Sequence, residues 1–377
     1  MRGKGAAGVV LLVGMTATVL GSEVYAASAR RVAVTALPAH YTFTKTVQLT
    51  NTGRQDAFNV TADVVLKAPK TAYAHVTVVG SSMSPASVHR DASGNVVGVF
   101  RFGELAPGQT VTLALDYQAT SSDVSYHLPY TYPHYNTASQ IYRRYTDPAR
   151  ESKVIETNAP AIKALDQSIT GGMQNPYRRA QALFNWVSTH IHYNTNLKAT
   201  GSALATLQER RGVCSDIADL YVSMLRTDHI PARVVDGYVT NNGNGQEGLH
   251  QWVEFYLPQT GWVAADPTWG VGYFAELQDN WHIPLYDGLG PDVSVNWQYG
   301  GNAQNTDIRV RDSYHFQSDG ARQGSRHRVL PLGGETPSVV DHGASHSPVR
   351  GILSLWHEVQ AALANYLLRV KILWHSL

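Results

Sequence analysis

Cysteine is almost missing from this chain of 377 residues: there is one, Cys214. A single thiol excludes an intramolecular disulfide and a paired-cysteine metal site. An excess of charge of either sign is missing too, since 30 Lys and Arg face 29 Asp and Glu, a net charge of +1. That balance argues against a nucleic-acid partner, which would call for a basic face. There is no Gly-rich phosphate loop or calcium-loop pattern, so neither a cofactor nor a metal is expected. No uninterrupted apolar run reaches the roughly 20 residues of a spanning helix.

What is present fits two domains with tails, and an apolar fraction of 43% allows sizeable cores. Arg2 and Lys4 precede an apolar run from Ala6 to Leu20, and small residues around Ala26 and Ala29 offer cleavage sites. This predicts an export signal over residues 1–27 and a location outside the cell or in its envelope, with an uncleaved anchor as the alternative. In such a compartment structural cysteines pair. An unpaired Cys214 is then a buried apolar residue, an intermolecular bridge or a chemical group.

Residues 30–125 read as a β-sandwich. Tyr41, Phe43, Lys45, Val47 and Leu49 alternate with threonines, and β-branched runs follow at Val60–Leu66, Val76–Val79, Val96–Phe102 and Val111–Tyr117, with turn residues between them. Residues 126–157, rich in tyrosine and proline, read as a connecting segment laid on a surface. Residues 158–315 read as the catalytic unit. Helical spacing begins near Pro160 and stops at Gly171-Gly172, then resumes from Pro176 through Ala180, Leu183, Phe184, Val187 and Ile191. A short helix over 203–210 and another from Ser215 to Arg226 precede strands at 232–240, 250–257 and 261–265. Helices followed by an antiparallel sheet make an α+β class. Residues 316–350 read as a flexible linker. Residues 351–377 read as an amphipathic helix whose apolar residues, from Ile352 to Trp374, could dock on the protein or contact a membrane surface peripherally.

Cys214 stands where Gly212-Val213 ends one helix and another begins. A helix start presents unpaired N–H groups and partial positive charge, which favour a thiolate and can hold an oxyanion. His250 opens an alternating strand and can serve as base. Asp266 follows the apolar strand Trp262–Ala265 and can orient the imidazole. Asp216 and Arg233 are expected to pair near the thiol, because buried charges need partners. Trp252 and Trp262 read as core or cleft walls, and Tyr193 or Trp186 as candidates for a second oxyanion donor.

These motifs carry a resemblance. Gly212-Val213-Cys214-x-Asp216-x-Ala218-x-Leu220, Ile230-Pro231-Ala232-Arg233-Val234-Val235-x-Gly237-Tyr238, His250-x-Trp252-Val253-Glu254 and Gly261-Trp262-x-x-x-Asp266-Pro267-Thr268 resemble the transglutaminase-like superfamily, relatives of papain-type thiol enzymes. The preceding β-domain and the His282-Ile283 segment are similar to its secreted microbial members. The resemblance implies a papain-like core of helices on an antiparallel sheet, with Cys214, His250 and Asp266 as triad. It also implies acyl transfer through a thioester, on a protein or peptide substrate such as a cell-envelope peptide. Hydrolysis of a peptide or isopeptide bond is the expected outcome. Transamidation that cross-links envelope proteins is one alternative, and a non-catalytic envelope scaffold is another.

Overall fold

The computed structural model describes residues 33–147, 154–194, 196–240, 247–288, 291–299 and 307–318. The expected signal at 1–27 and the helix expected over 351–377 lie outside the described residues; of the linker expected over 316–350, residues 316–318 belong to a strand and the rest lie outside them too. Among the described residues no helix is long and apolar enough to cross a membrane.

Six strands come first: β1 (Ala33–Asn51), β2 (Ala57–Lys67), β3 (Ala74–Ser81), β4 (Ser87–Arg90), β5 (Val96–Leu105) and β6 (Thr110–Tyr126). Helices α1 (Gln140–Thr146), α2 (Pro160–Thr170) and α3 (Pro176–His190) follow. The short strands β7 (His192–Tyr193) and β8 (Arg211–Gly212) flank α4 (Ala203–Glu209), and α5 spans Cys214–Thr227. The chain then forms β9 (Ala232–Val239), β10 (Gly248–Leu257), β11 (Gly261–Ala265), β12 (Glu276–Leu277), β13 (His282–Asp287), β14 (Val293–Tyr299) and β15 (Ile308–Ser318).

The alternation in β1 does what a period of two requires: Tyr41, Phe43, Lys45, Val47 and Leu49 are all buried. Phe43 stacks between Tyr117 of β6 and Phe316 of β15, at 4.5 and 4.3 Å between ring centroids. β1, β3, β6, β12 and β15 form one sheet of the sandwich, and β14-β2-β5-β4 forms the other. Three of these strands, β12, β14 and β15, come from far along the chain. β15 pairs with β1 from Tyr41↔Ser318 to Asn51↔Ile308, and β14 pairs with β2. Residues 293–318 therefore complete the sandwich, although they follow the catalytic strands in sequence. Their own period-two pattern explains it, since Val293 and Ile308 are buried in the sandwich core with Val295, Val310, Tyr314 and Phe316 packed against it.

The segment at 126–157 holds a helix that its composition did not announce. Ser139 caps α1 by accepting a hydrogen bond from the Tyr142 N–H at 3.2 Å. Seven residues are too few for an apolar stripe to be read. The segment does lie on the core: the Tyr135 hydroxyl donates to the Tyr256 carbonyl at 2.8 Å, and Tyr145 meets Trp262 edge-on.

The third sheet, β11-β10-β9-β13, carries the site. Helix α5 packs on β9 and β10, while Tyr238, Ile283 and Leu285 join the sandwich core. A sheet covered on both faces must be apolar on both, and β9 is buried along nearly its whole length.

Candidate active site

The start of α5 is built by Asp216. One carboxylate oxygen accepts from the Val213 N–H at 3.0 Å, and the other accepts from the Thr200 N–H at 2.7 Å and the Thr200 hydroxyl at 2.8 Å. Gly212 leaves room for this fold-back, since a Cβ there would lie 2.6 Å from that of Asp216. Val213, the residue before the helix, has no side-chain acceptor, so no side chain from that position covers the first-turn N–H groups. Cys214 is the first helical residue, and its side chain is half-buried.

The expected Asp216–Arg233 pair does not form. Arg233 faces Glu254 directly across β9 and β10, and binds it at 2.6 and 2.9 Å and Asp287 at 2.8 Å. Cross-strand register supplies the guanidinium with two buried carboxylates, and Asp216 is used up by backbone donors.

His250 is opposite Gly237 in the β10–β9 pairing, on the same face as Trp252. Gly237 has to be glycine, because a Cβ would lie 2.2 Å from the Trp252 ring. Trp252 is buried as expected, and its indole N–H donates to the Tyr73 hydroxyl at 2.8 Å. Trp262 covers the Arg233 guanidinium at 4.2 Å.

The structure brings the three sequence-predicted residues together. His250 Nε2 lies 2.7 Å from Asp266 Oδ2, and Cys214 lines the same cavity as the His250 ring. With Nε2 on the carboxylate, Nδ1 is the nitrogen left for the thiol. Asp266 follows β11 and caps a 3-10 turn over Pro267–Trp269, where Oδ1 accepts from the Thr268 N–H at 2.9 Å. Burial disfavours the charged His250 ring, but Asp266 and Cys214 more than offset it and push its pKa up to about 10. Burial would likewise raise Asp266, yet His250 and His282 hold it well below the usual carboxylate range.

Tyr193 sits beside Gly212 through the β7–β8 pairing, and its pKa is pushed up to about 12, by burial first and then by Cys214 and Asp266. Trp186 is engaged elsewhere, stacked on His190 at 4.7 Å and under Arg210 at 4.6 Å. Of the two oxyanion candidates, Tyr193 is the one paired beside Gly212, two residues before the thiol.

A cavity of about 220 Å³ opens at Cys214 and His250. Asp236, Asp292 and Asp312 line it, with Tyr286 and Tyr314. Lys45 neutralises one of these acids, Asp292, at 2.6 Å. None of these lining groups was legible from spacing: Asp236 and Tyr286 come from β9 and β13 of the third sheet, and Asp312 and Tyr314 from β15 of the sandwich.

His250, Asp266 and His282 also have the makings of a metal ligand set, with ligand atoms within 4.8 Å of one another. Their spacing is that of hydrogen bonds. Both histidine Nε2 atoms meet one oxygen, Asp266 Oδ2, at 2.7 and 3.2 Å. Ligands on a tetrahedral zinc would stand roughly 3.3 Å apart at ordinary bond lengths, so the 2.7 Å contact would have to open.

Residues 163–267, which include all three candidate residues, match the family model of the transglutaminase-like superfamily. Those residues form a core of the transglutaminase-like superfamily; the match does not extend over the rest of the chain. It is 36% identical over 75 residues to YebA of Bacillus subtilis, itself uncharacterized, covering 17% of this chain and 10% of that protein. It is 39% identical over 70 residues to a protein-glutamine gamma-glutamyltransferase of Pseudomonas aeruginosa, covering 16% and 10%. The match thus spans about a tenth of the length of these relatives. A solved structure of a candidate cysteine protease from Cytophaga hutchinsonii superposes with a TM-score of 0.53 at 16% identity, over 76% of this chain and 93% of that one. At that identity the likeness concerns the fold alone.

Proposed function

We propose that this chain is an exported thiol enzyme that opens peptide or isopeptide amide bonds through a Cys214 thioester, with water as acceptor. The observation that carries the reading is the convergence of Cys214, at a helix start without a side-chain cap from Val213, with the hydrogen-bonded His250–Asp266 pair on one cavity. In this reading His250 Nδ1 already holds the thiol proton in the neutral range, and the Cys214 thiolate attacks the carbonyl carbon. First-turn N–H groups of α5 hold the oxyanion, with Tyr193 as second donor. His250 then protonates the leaving amine, and a water that it deprotonates releases the acid. Asp266 keeps Nε2 protonated, so Nδ1 is the basic nitrogen. Export rests on the basic and apolar pattern of residues 2–29 and is checked by the N-terminus of the mature protein.

A specific observation favours a second acceptor. Asp236, Asp292 and Asp312 line the cavity, and burial pushes Asp236 and Asp312 toward the neutral acid, so an entering ammonium would be met by carboxyls that ionise as it binds. The partial match to a glutamyltransferase supports the same direction. The deciding experiment incubates the protein with a glutamine-bearing protein and a labelled primary amine. Ammonia or new N-termini without incorporation supports hydrolysis. Incorporation that disappears in Cys214→Ala supports transamidation. In the same preparation Cys214 should alkylate with iodoacetamide in the neutral range, and a thiol as slow as a free cysteine overturns the enzymatic reading.

A further inference from the structure

We infer that His282 is a positioning residue for this site: it holds the Asp266 carboxylate in the orientation that serves His250, and Asp279 in turn holds His282. The inference rests on the proposed role of Cys214.

His282 is fully buried, and both its ring nitrogens face carboxylates. Nε2 lies 3.2 Å from Asp266 Oδ2, and Nδ1 lies 2.9 Å from Asp279 Oδ1. Asp279 is fully buried as well, and the same Oδ1 accepts from the Trp281 N–H at 2.8 Å. Trp252 and Trp269 stand edge-on to the His282 ring, at 5.0 and 4.6 Å between centroids, and block rotation. A ring with two carboxylate neighbours uses a donor on each nitrogen, so His282 is an imidazolium when both acids are ionised. Burial opposes that charge, yet Asp279 and Asp266 together raise its pKa. The other titratable groups against this array are tyrosines held neutral: burial pushes Tyr41 up to about 12 and Tyr273 higher still.

Two consequences follow for His250, whose ring is 5.8 Å from that of His282. The Asp266 oxygen that orients His250 cannot swing away, because a second donor pins it. The positive His282 also offsets part of the charge of Asp266, which keeps His250 from holding its proton too tightly to act as a base. Removing that charge must move the His250 pKa upward, on the order of one pH unit at this separation.

The experiment uses the full chain labelled with ¹⁵N-histidine, together with His282→Gln and the nearly isosteric Asp279→Asn. In the wild type two histidines, His250 and His282, should stay doubly protonated between about pH 6 and 8, and the set of signals that vanishes in His282→Gln is that of His282. In both variants the step of the Cys214 alkylation profile that reports loss of the His250 proton should move to higher pH. A merely structural role would change the melting temperature and leave that step in place. A neutral His282 in the wild type, or unshifted profiles over an activated wild-type thiol, would overturn the inference and leave the proposed function standing. An ordinary wild-type thiol would instead sink the proposed function. If His282→Gln does not fold, the wild-type spectrum and Asp279→Asn still decide.

Discussion

Asp216 does at the scale of one residue what spacing assigned to an ion pair. Its carboxylate gathers the N–H groups of Val213, Thr200 and Gly201, at 3.0, 2.7 and 3.3 Å, and so ties the loop before α4 to the start of α5. Asp216→Ala should therefore lower stability by about 3 kcal/mol, because it strands several partly buried donors at once. A urea midpoint shift at unchanged slope checks this. Cys214 alkylation should slow in the same variant, since the thiol stands on the turn that Asp216 holds. The motif around Cys214 was readable as a helix start. The identity of the donors was not, because Thr200 and Gly201 come from a loop whose path the local sequence does not set.

Among the elements, the β9–β10 pair positions the chemistry. It sets Arg233 against Glu254 and His250 against Gly237, and it leaves the Trp252 ring lying over the glycine. Gly237→Ala would press a methyl group into that ring and toward the Ile283 carbonyl, which a Cβ would approach to 2.5 Å. The expected cost is about 2 kcal/mol, read as a lower melting temperature. Alkylation of Cys214 should slow as well, because Trp252 packs 6.1 Å from the His250 ring. Helix α5 shows why its own pattern was only partly legible. From Asp216 to Leu225 every residue is buried, so there is no polar face to mark the apolar one. Strands β9 to β11 and helices α2 and α3 were legible because glycine or proline stands at or beside the start of each.

For the whole molecule, the pH dependence of stability is set by buried acids of opposite habit. Burial comes first in pushing Asp166 and Asp219 up to about 7 and Asp228 up to about 6. The folded chain then keeps protons that the unfolded chain releases near pH 4, so this stabilisation is present in acid and fades as pH rises toward 7. Asp266 acts the other way: its depressed pKa contributes stability above the unfolded value, and that contribution is lost as pH falls. His250, raised to about 10, contributes below its unfolded value and loses that contribution as pH climbs through 10. Stability should therefore peak in mild acid and decline toward pH 8. Asp166→Asn should flatten the decline, as compared by urea unfolding at about pH 5 and 8.

The sequence by itself determined the class of elements, the superfamily of the core and the likeness of Cys214, His250 and Asp266 to a thiol triad. Each of those rests on local information: periodicity, turn residues and short motifs. Only the tertiary structure decided what surrounds them. Lys45 reads as one member of an apolar stripe, and its partner Asp292 lies 247 positions away. Strands β14 and β15 carry a visible alternation, but alternation states that a face is buried and not against which strand. Strand β15 of the sandwich thereby lines part of the cavity, and His282 reaches Asp266 through the β13–β9 pairing. Partner choice is a long-range packing outcome, and a pattern of period two or 3.6 holds no record of it.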